Sequence, residues 1–354
     1  MSSADARRLV LVVGVGRSGT SVLTGILGQT GFHIPQPEVK ADETNPRGFR
    51  EPRWVVDLHE RLLRERRVTV NDSRPAAWAR TGAAADLPAV RRELRGWLAT
   101  QFREADAVVI KDPRTVWFLD LWMRCAAELG IATSFATMLR HPAEILASAT
   151  RSYGTWQTEA SRAAAWLNVI LETERATRNS RRAFVRYERL LEDWAVETRR
   201  IGMQLDLPLL RDVDRSRFPQ VDAFVDPTLH RVRVRWEQLE VPARVGDLAE
   251  DVWRLLQPLA GPDGDTPALR AALDRARASY ADLYAESEAI AQSSVTAAKP
   301  RRAPQRVGRD GRERGPDFAT RLGVRLARRL PPPYRRRLRR VVRSVRTAGR
   351  TQTG

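Results

Sequence analysis

Five aliphatic residues, Leu9 to Val13, run without interruption into Gly14-Val15-Gly16-Arg17-Ser18-Gly19. An unbroken apolar run of this length predicts a strand covered on both faces. After the glycines, Val22, Leu23, Ile26 and Leu27 recur at helical spacing from Thr20 to Gly28, and Gly31 supplies a stop. Strand, glycine loop and helix in immediate succession confine the chain to α/β architectures whose loop faces a helix N-terminus. That terminus carries unpaired N–H groups and the positive end of the helix dipole, so an anion is the ligand it suits.

The alternation continues downstream. Further strands are expected at Ala107 to Ile110, Thr133 to Leu139 and Ala183 to Tyr187. Helices are expected at Trp54 to Arg66, Pro88 to Phe102, Val116 to Leu129, Glu159 to Arg178 and Leu190 to Leu205, with another starting at Ala143 to Arg151. Such alternation predicts a mainly parallel sheet with helices on both faces. His33 to Pro52 contains four prolines and few apolar residues, and reads as a long surface loop of the kind that forms lids. Order fades beyond Tyr284, which divides the chain into an α/β domain over 1–290, a flexible linker over 291–316 and a basic tail over 317–354.

Charge follows the same division. Of the net +18, the stretch from Lys299 to Gly354 contributes +16, with 19 basic residues against 3 acidic ones. The preceding domain is nearly neutral, so any polyanion or membrane attachment belongs to the tail. There, Phe318, Leu322, Leu326 and Leu330 recur at helical spacing among arginines, as do Tyr334, Leu338, Val341, Val342 and Val345. Basic amphipathic segments suit an anionic membrane surface, while the near absence of interleaved aromatics argues against nucleic acid. A solvated basic tail is the alternative. Cys125 is the sole cysteine, so no intrachain disulfide forms. No apolar run approaches the length of a spanning helix, and residues 1–8 lack a signal-peptide core. These features point to the cytoplasm, with the inner membrane surface as a site of peripheral attachment.

The glycine loop admits several readings. Gly14, Gly16 and Gly19 match a dinucleotide fingerprint, but the acidic strand end that should follow falls in the proline-rich loop near Glu38 and Asp42. Gly14 and Gly19 have the separation of an ATP or GTP loop, but Thr20 stands where the phosphate-binding lysine belongs. Asp112, ending a strand, resembles the metal-binding aspartate of that class. A third reading gathers Gly16, Arg17, Ser18, Gly19, Thr20 and Ser21 around a single 5′-phosphate-type group, with no lysine or metal needed. A plain strand-to-helix turn is the fourth.

Val13-Gly14-Val15-Gly16-Arg17-Ser18-Gly19-Thr20-Ser21 resembles the 5′-phosphosulfate loop of sulfotransferases that use 3′-phosphoadenosine 5′-phosphosulfate. Leu139-Arg140-His141-Pro142 precedes Ser148 by the interval of that family's 3′-phosphate site. Phe184-Val185-Arg186-Tyr187-Glu188-Arg189-Leu190-Leu191 is similar to its VRYEDLL stretch, and Lys111-Asp112-Pro113-Arg114 to the KDPR stretch of its bacterial branch. The matches lie in family order between residues 9 and 191. The RKG element that completes the 3′-phosphate site in cytosolic relatives is missing, and Arg231 and Arg233 are candidates to replace it.

The resemblance implies an in-line sulfuryl transfer without a metal, to a hydroxyl or amine of a glycan, glycolipid or small molecule. The leaving phosphate needs stabilisation, the acceptor needs a base, and the two need alignment. Arg17 and the loop N–H groups serve the first need. Lys111 joins them as a catalytic candidate, because a lysine at a strand end stands out in a chain with three lysines. Asn45-Pro46-Arg47-Gly48-Phe49-Arg50-Glu51 resembles the bacterial N-x-x-G-F-x-E stretch and makes Glu51 the first candidate base, ahead of Glu43, His33 and His59. Arg140 and Ser148 would hold the 3′-phosphate. A nucleotide kinase, and a non-enzymatic membrane or polyanion adaptor with a degenerate nucleotide site, remain the other classes open to the sequence.

Overall fold

The computed structural model describes residues 7–154, 157–225 and 234–298. Linker residues 299–316 and the tail 317–354 lie outside them, as do Arg231 and Arg233. The order of elements is β1 (Arg8–Val13), α1 (Thr20–Gln29), α2 (Arg53–Arg66), α3 (Ala77–Gly82), α4 (Pro88–Glu104), β2 (Ala107–Lys111), α5 (Leu119–Glu128), β3 (Ala132–Leu139), α6 (Pro142–Tyr153), α7 (Glu159–Thr177) and β4 (Arg181–Arg186). There follow α8 (Tyr187–Glu192), α9 (Trp194–Gln204), α10 (Pro208–Arg211), α11 (Pro219–Phe224), α12 (Ala243–Leu256) and α13 (Pro267–Ala298).

The four strands form one all-parallel sheet in the order β2-β1-β3-β4. β1 is central, and its residues from Leu9 to Val13 have no exposed surface. Alternate side chains enter different cores. Leu9, Leu11 and Val13 pack with residues of α2, α4 and α5, while Val10 and Val12 pack with residues of α1, α8 and α9. This two-sided burial is why the strand reads as a continuous aliphatic run. Consecutive connections leave β1 on opposite sides: the chain reaches β2 on one flank and then β3 on the other. The crevice at the carboxyl ends of the strands beside such a reversal is where open α/β sheets bind ligands.

Three expectations need correction. Val116 to Leu129 is not one α-helix: Pro113–Phe118 is a 3₁₀ segment, and α5 begins only at Leu119. The helix expected over Leu190 to Leu205 is broken at Asp193, whose carboxylate accepts from the N–H groups of Ala195 and Val196 and so starts a new helix. The flexible linker expected from 291 opens inside α13, which continues to Ala298.

Candidate active site

A cavity of about 580 Å3 opens at the carboxyl edge of the sheet. Its wall combines the glycine loop and start of α1, the 43–51 loop, the ends of β2 and β3, the outer part of α6, Tyr187 and Phe224. Among the described residues, five cations line it, Arg17, Arg47, Lys111, Arg140 and Arg151, against the two anions Glu43 and Glu51. A cavity with this excess of positive charge favours an anionic ligand.

The loop is shaped by backbone conformation and by one aromatic neighbour. Gly19 has φ 99°, and a Cβ there would stand 2.3 Å from the Tyr187 ring, so no side chain fits. Arg17 also takes a positive φ of 74°, a conformation that costs a non-glycine residue about 1 kcal/mol or more and is typical of functional loops. Gly16 faces open space, with no atom within 4 Å of a Cβ built on it. Thr20 and Ser21 begin α1, where N–H groups have no intrahelical acceptor, and both line the cavity. Ser18 departs from expectation. Its hydroxyl is buried beside Gly14 without a hydrogen-bond partner, and it does not line the cavity. Its N–H donates to the Val15 carbonyl at 3.2 Å, which folds the residue into the turn.

The expected 3′-phosphate residues meet the loop. Arg17 donates through Nε to the Ser148 hydroxyl at 3.1 Å, and Arg140 donates through Nη1 to the Arg17 carbonyl at 3.2 Å. The Arg140 guanidinium is held by Glu144 at 3.0 Å and lies over the Tyr187 ring, 4.6 Å from its centroid. Its Nη2 is buried and has no partner. A donor left unpaired in this way costs free energy unless a ligand accepts from it. Arg151 and Ser152 follow Ser148 by three and four positions, on one face of α6, and line the same cavity. That spacing was the available signal for both, and the sequence reading passed over it.

On the opposite side, each fixed position of the N-x-x-G-F-x-E stretch has a contact. Asn45 donates to the Gly48 carbonyl at 2.8 Å and to the Ser21 hydroxyl at 3.3 Å. The Phe49 carbonyl accepts from Ser21 Oγ at 3.1 Å and from Lys111 Nζ at 3.2 Å. Glu51 accepts from Lys111 Nζ at 2.5 Å. Burial pushes the Glu51 carboxyl above its ordinary value; the Lys111 charge opposes this and the Asp112 charge adds to it.

The other candidates separate. Glu43 lines the cavity. His33 lies away from it: its backbone bridges β2, and its ring stands 3.4 Å from Gln101. His59 is wholly buried, accepting at Nε2 from Trp122 at 3.0 Å, so Nδ1 carries the proton shared with Asp112 at 2.7 Å. Asp112 is likewise wholly buried. One oxygen takes His59, while the other accepts from the backbone and guanidinium of Arg114. Those bonds hold its carboxyl far below the ordinary range despite burial. Both oxygens are thus engaged by His59 and Arg114, and Asp112 does not line the cavity.

Fold and site together define a phosphate-loop α/β protein with a cationic cavity at the end of a parallel sheet. The family described as the Sulfotransferase family matches residues 10–212, from β1 to just past α10. This is more than half of the chain, and the protein belongs to that family: it is a transferase that delivers a sulfuryl group to an acceptor. No curated protein and no solved structure gives a significant match. Among the described residues, no helix is long and apolar enough to cross a membrane.

Proposed function

We propose that the donor is 3′-phosphoadenosine 5′-phosphosulfate and that the acceptor carries a hydroxyl or amine on a glycan, glycolipid or small molecule. The observation behind this reading is the meeting of Arg17, Arg140 and Ser148 at one cavity, with Arg140 Nη2 buried and unpaired. Such a donor set fits a ligand with two separate phosphate groups. The cavity volume of about 580 Å3 falls within the range of small-molecule sites.

In this reading the N–H groups at the start of α1, with Arg17, hold the 5′-phosphosulfate and stabilise the charge that grows on the phosphate as the S–O bond breaks. Arg140 and Ser148 hold the 3′-phosphate, with Arg151 beside them. Glu51 accepts the acceptor's proton as the new O–S or N–S bond forms. The kinase alternative lacks both the loop lysine, replaced by Thr20, and a free Asp112.

Calorimetric binding of 3′,5′-adenosine bisphosphate, compared with ADP and with ATP plus Mg²⁺, tests the donor. Tightest binding is expected for the bisphosphate. Arg140→Ala should weaken it roughly 10- to 100-fold, the cost of a charge-assisted hydrogen bond. Equal affinity for ADP and the bisphosphate would sink the Arg140–Ser148 assignment.

The segment 317–354 is proposed to bring the catalytic domain to anionic membranes. The full chain should then float with phosphatidylserine vesicles at low salt and detach as salt rises, whereas a chain ending at 298 should not. Equal flotation of the two chains would remove this role.

A further inference from the structure

We infer that Lys111 is a positioning residue: it clasps the loop carrying Glu51 onto the phosphate loop, and so fixes where the base stands. The inference rests on the proposed role of Glu51.

An ammonium group has three N–H donors and no acceptor. Lys111 uses all three: Ser21 Oγ at 3.2 Å, the Phe49 carbonyl at 3.2 Å and Glu51 Oε1 at 2.5 Å. The three acceptors belong to two elements, α1 and the loop before α2, which the Ser21 hydroxyl also joins directly by donating to the Phe49 carbonyl. Lys111 is itself the last residue of β2, in register with Val12 of β1, the strand that feeds the phosphate loop. Its stem is therefore rooted in the rigid part of the molecule, and only 3% of the residue is exposed. Asn45 repeats the pattern, joining the same Ser21 hydroxyl to the Gly48 turn. Arg17, Arg140 and Arg151 line the same cavity without bonding to the Glu51 carboxylate.

The clasp also sets the charge around the carboxylate. Glu51 is faced by Lys111 from β2, by Arg114 Nη1 at 4.0 Å from the turn that follows, and by Asp112 between them. Without Lys111, burial and the Asp112 charge would both favour the protonated acid, opposed by Arg114 alone.

The test compares the wild type with Lys111→Met, and with Lys111→Gln should the first variant not fold. The pH profile of kcat/KM, the calorimetric affinity for 3′,5′-adenosine bisphosphate, and the rate of tryptic cleavage after Arg47 and Arg50 are measured. A clasp predicts bisphosphate affinity within about threefold of wild type, because Lys111 makes no bond to Arg17, Arg140 or Ser148. It predicts an acid limb moved up by about 1–3 pH units, the usual effect of losing an adjacent opposite charge. It also predicts faster cleavage of the loop. An acid limb that stays in place, or cleavage at the wild-type rate, overturns the inference. If the wild type neither binds the bisphosphate nor transfers a sulfuryl group, the donor reading falls, and the cleavage rates alone decide for or against the clasp.

Discussion

Glu51→Gln is expected to lower kcat/KM by about 10²- to 10⁴-fold, the usual contribution of a general base, while leaving bisphosphate affinity nearly unchanged. Glutamine keeps the size of the side chain and can still accept from Lys111, so the loop has no reason to move. What it loses is the ability to take a proton from the acceptor. The wild-type pH profile carries a second part of the same expectation. Burial raises the Glu51 carboxyl above its ordinary 4.5, and a base works only when deprotonated. The acid limb of kcat/KM should therefore lie above 4.5 and vanish in the variant. A variant with wild-type turnover would transfer the role to Glu43, the other carboxylate lining the cavity among the described residues.

Asp112→Ala carries the largest expected loss of stability. Asp112 holds His59 from α2, Arg114 from the 3₁₀ segment and the end of β2 in one buried group. Removing one partner of a buried charged group costs about 3–5 kcal/mol. For a domain of this size that lowers the midpoint of thermal unfolding by roughly 10 °C. Pairing holds the Asp112 carboxyl below its ordinary 3.8, so its contribution is complete at neutral pH and is lost only as pH falls below that value. The loss should accordingly be measured near pH 7; a change under about 1 kcal/mol there would contradict the network. The same substitution removes a negative charge that raises Glu51, so whatever activity survives should show an acid limb moved down. Lys111→Met moves it the other way, and the opposite signs separate charge effects from general damage.

The sheet and the phosphate loop were legible because both have short-range signatures. β1 and β2 are largely aliphatic runs buried on both faces, and a glycine loop between strand and helix has few other uses. Glu51, Arg140 and Ser148 were singled out by resemblance to the family's short motifs, and all three line one cavity. The contacts that give these residues their character were not legible. Lys111 meets Ser21 across 90 positions, and Arg17 meets Ser148 across 131. Tyr187 belongs to a quoted motif, yet nothing local reveals that its ring blocks a Cβ on Gly19 and underlies Arg140. Ser18 shows the converse, with its hydroxyl buried beside Gly14. A loop motif names the residue, but only the turn's φ values determine whether its hydroxyl faces the ligand or the interior.

The loop between α1 and α2 is tied at both ends. At its start the His33 N–H binds the Ala107 carbonyl and its carbonyl accepts from Val109, which lays the chain along the outer edge of β2. At its end Val39 donates to Glu51 and Arg53 donates to Pro37, closing a narrow neck. Between the ties, the rim is laced to its surroundings: Arg17 donates to the Thr44 carbonyl, Asn45 to the Ser21 hydroxyl and Arg47 to the Phe224 carbonyl, so an acceptor meets a wall whose position is set by the phosphate loop as well as by the neck.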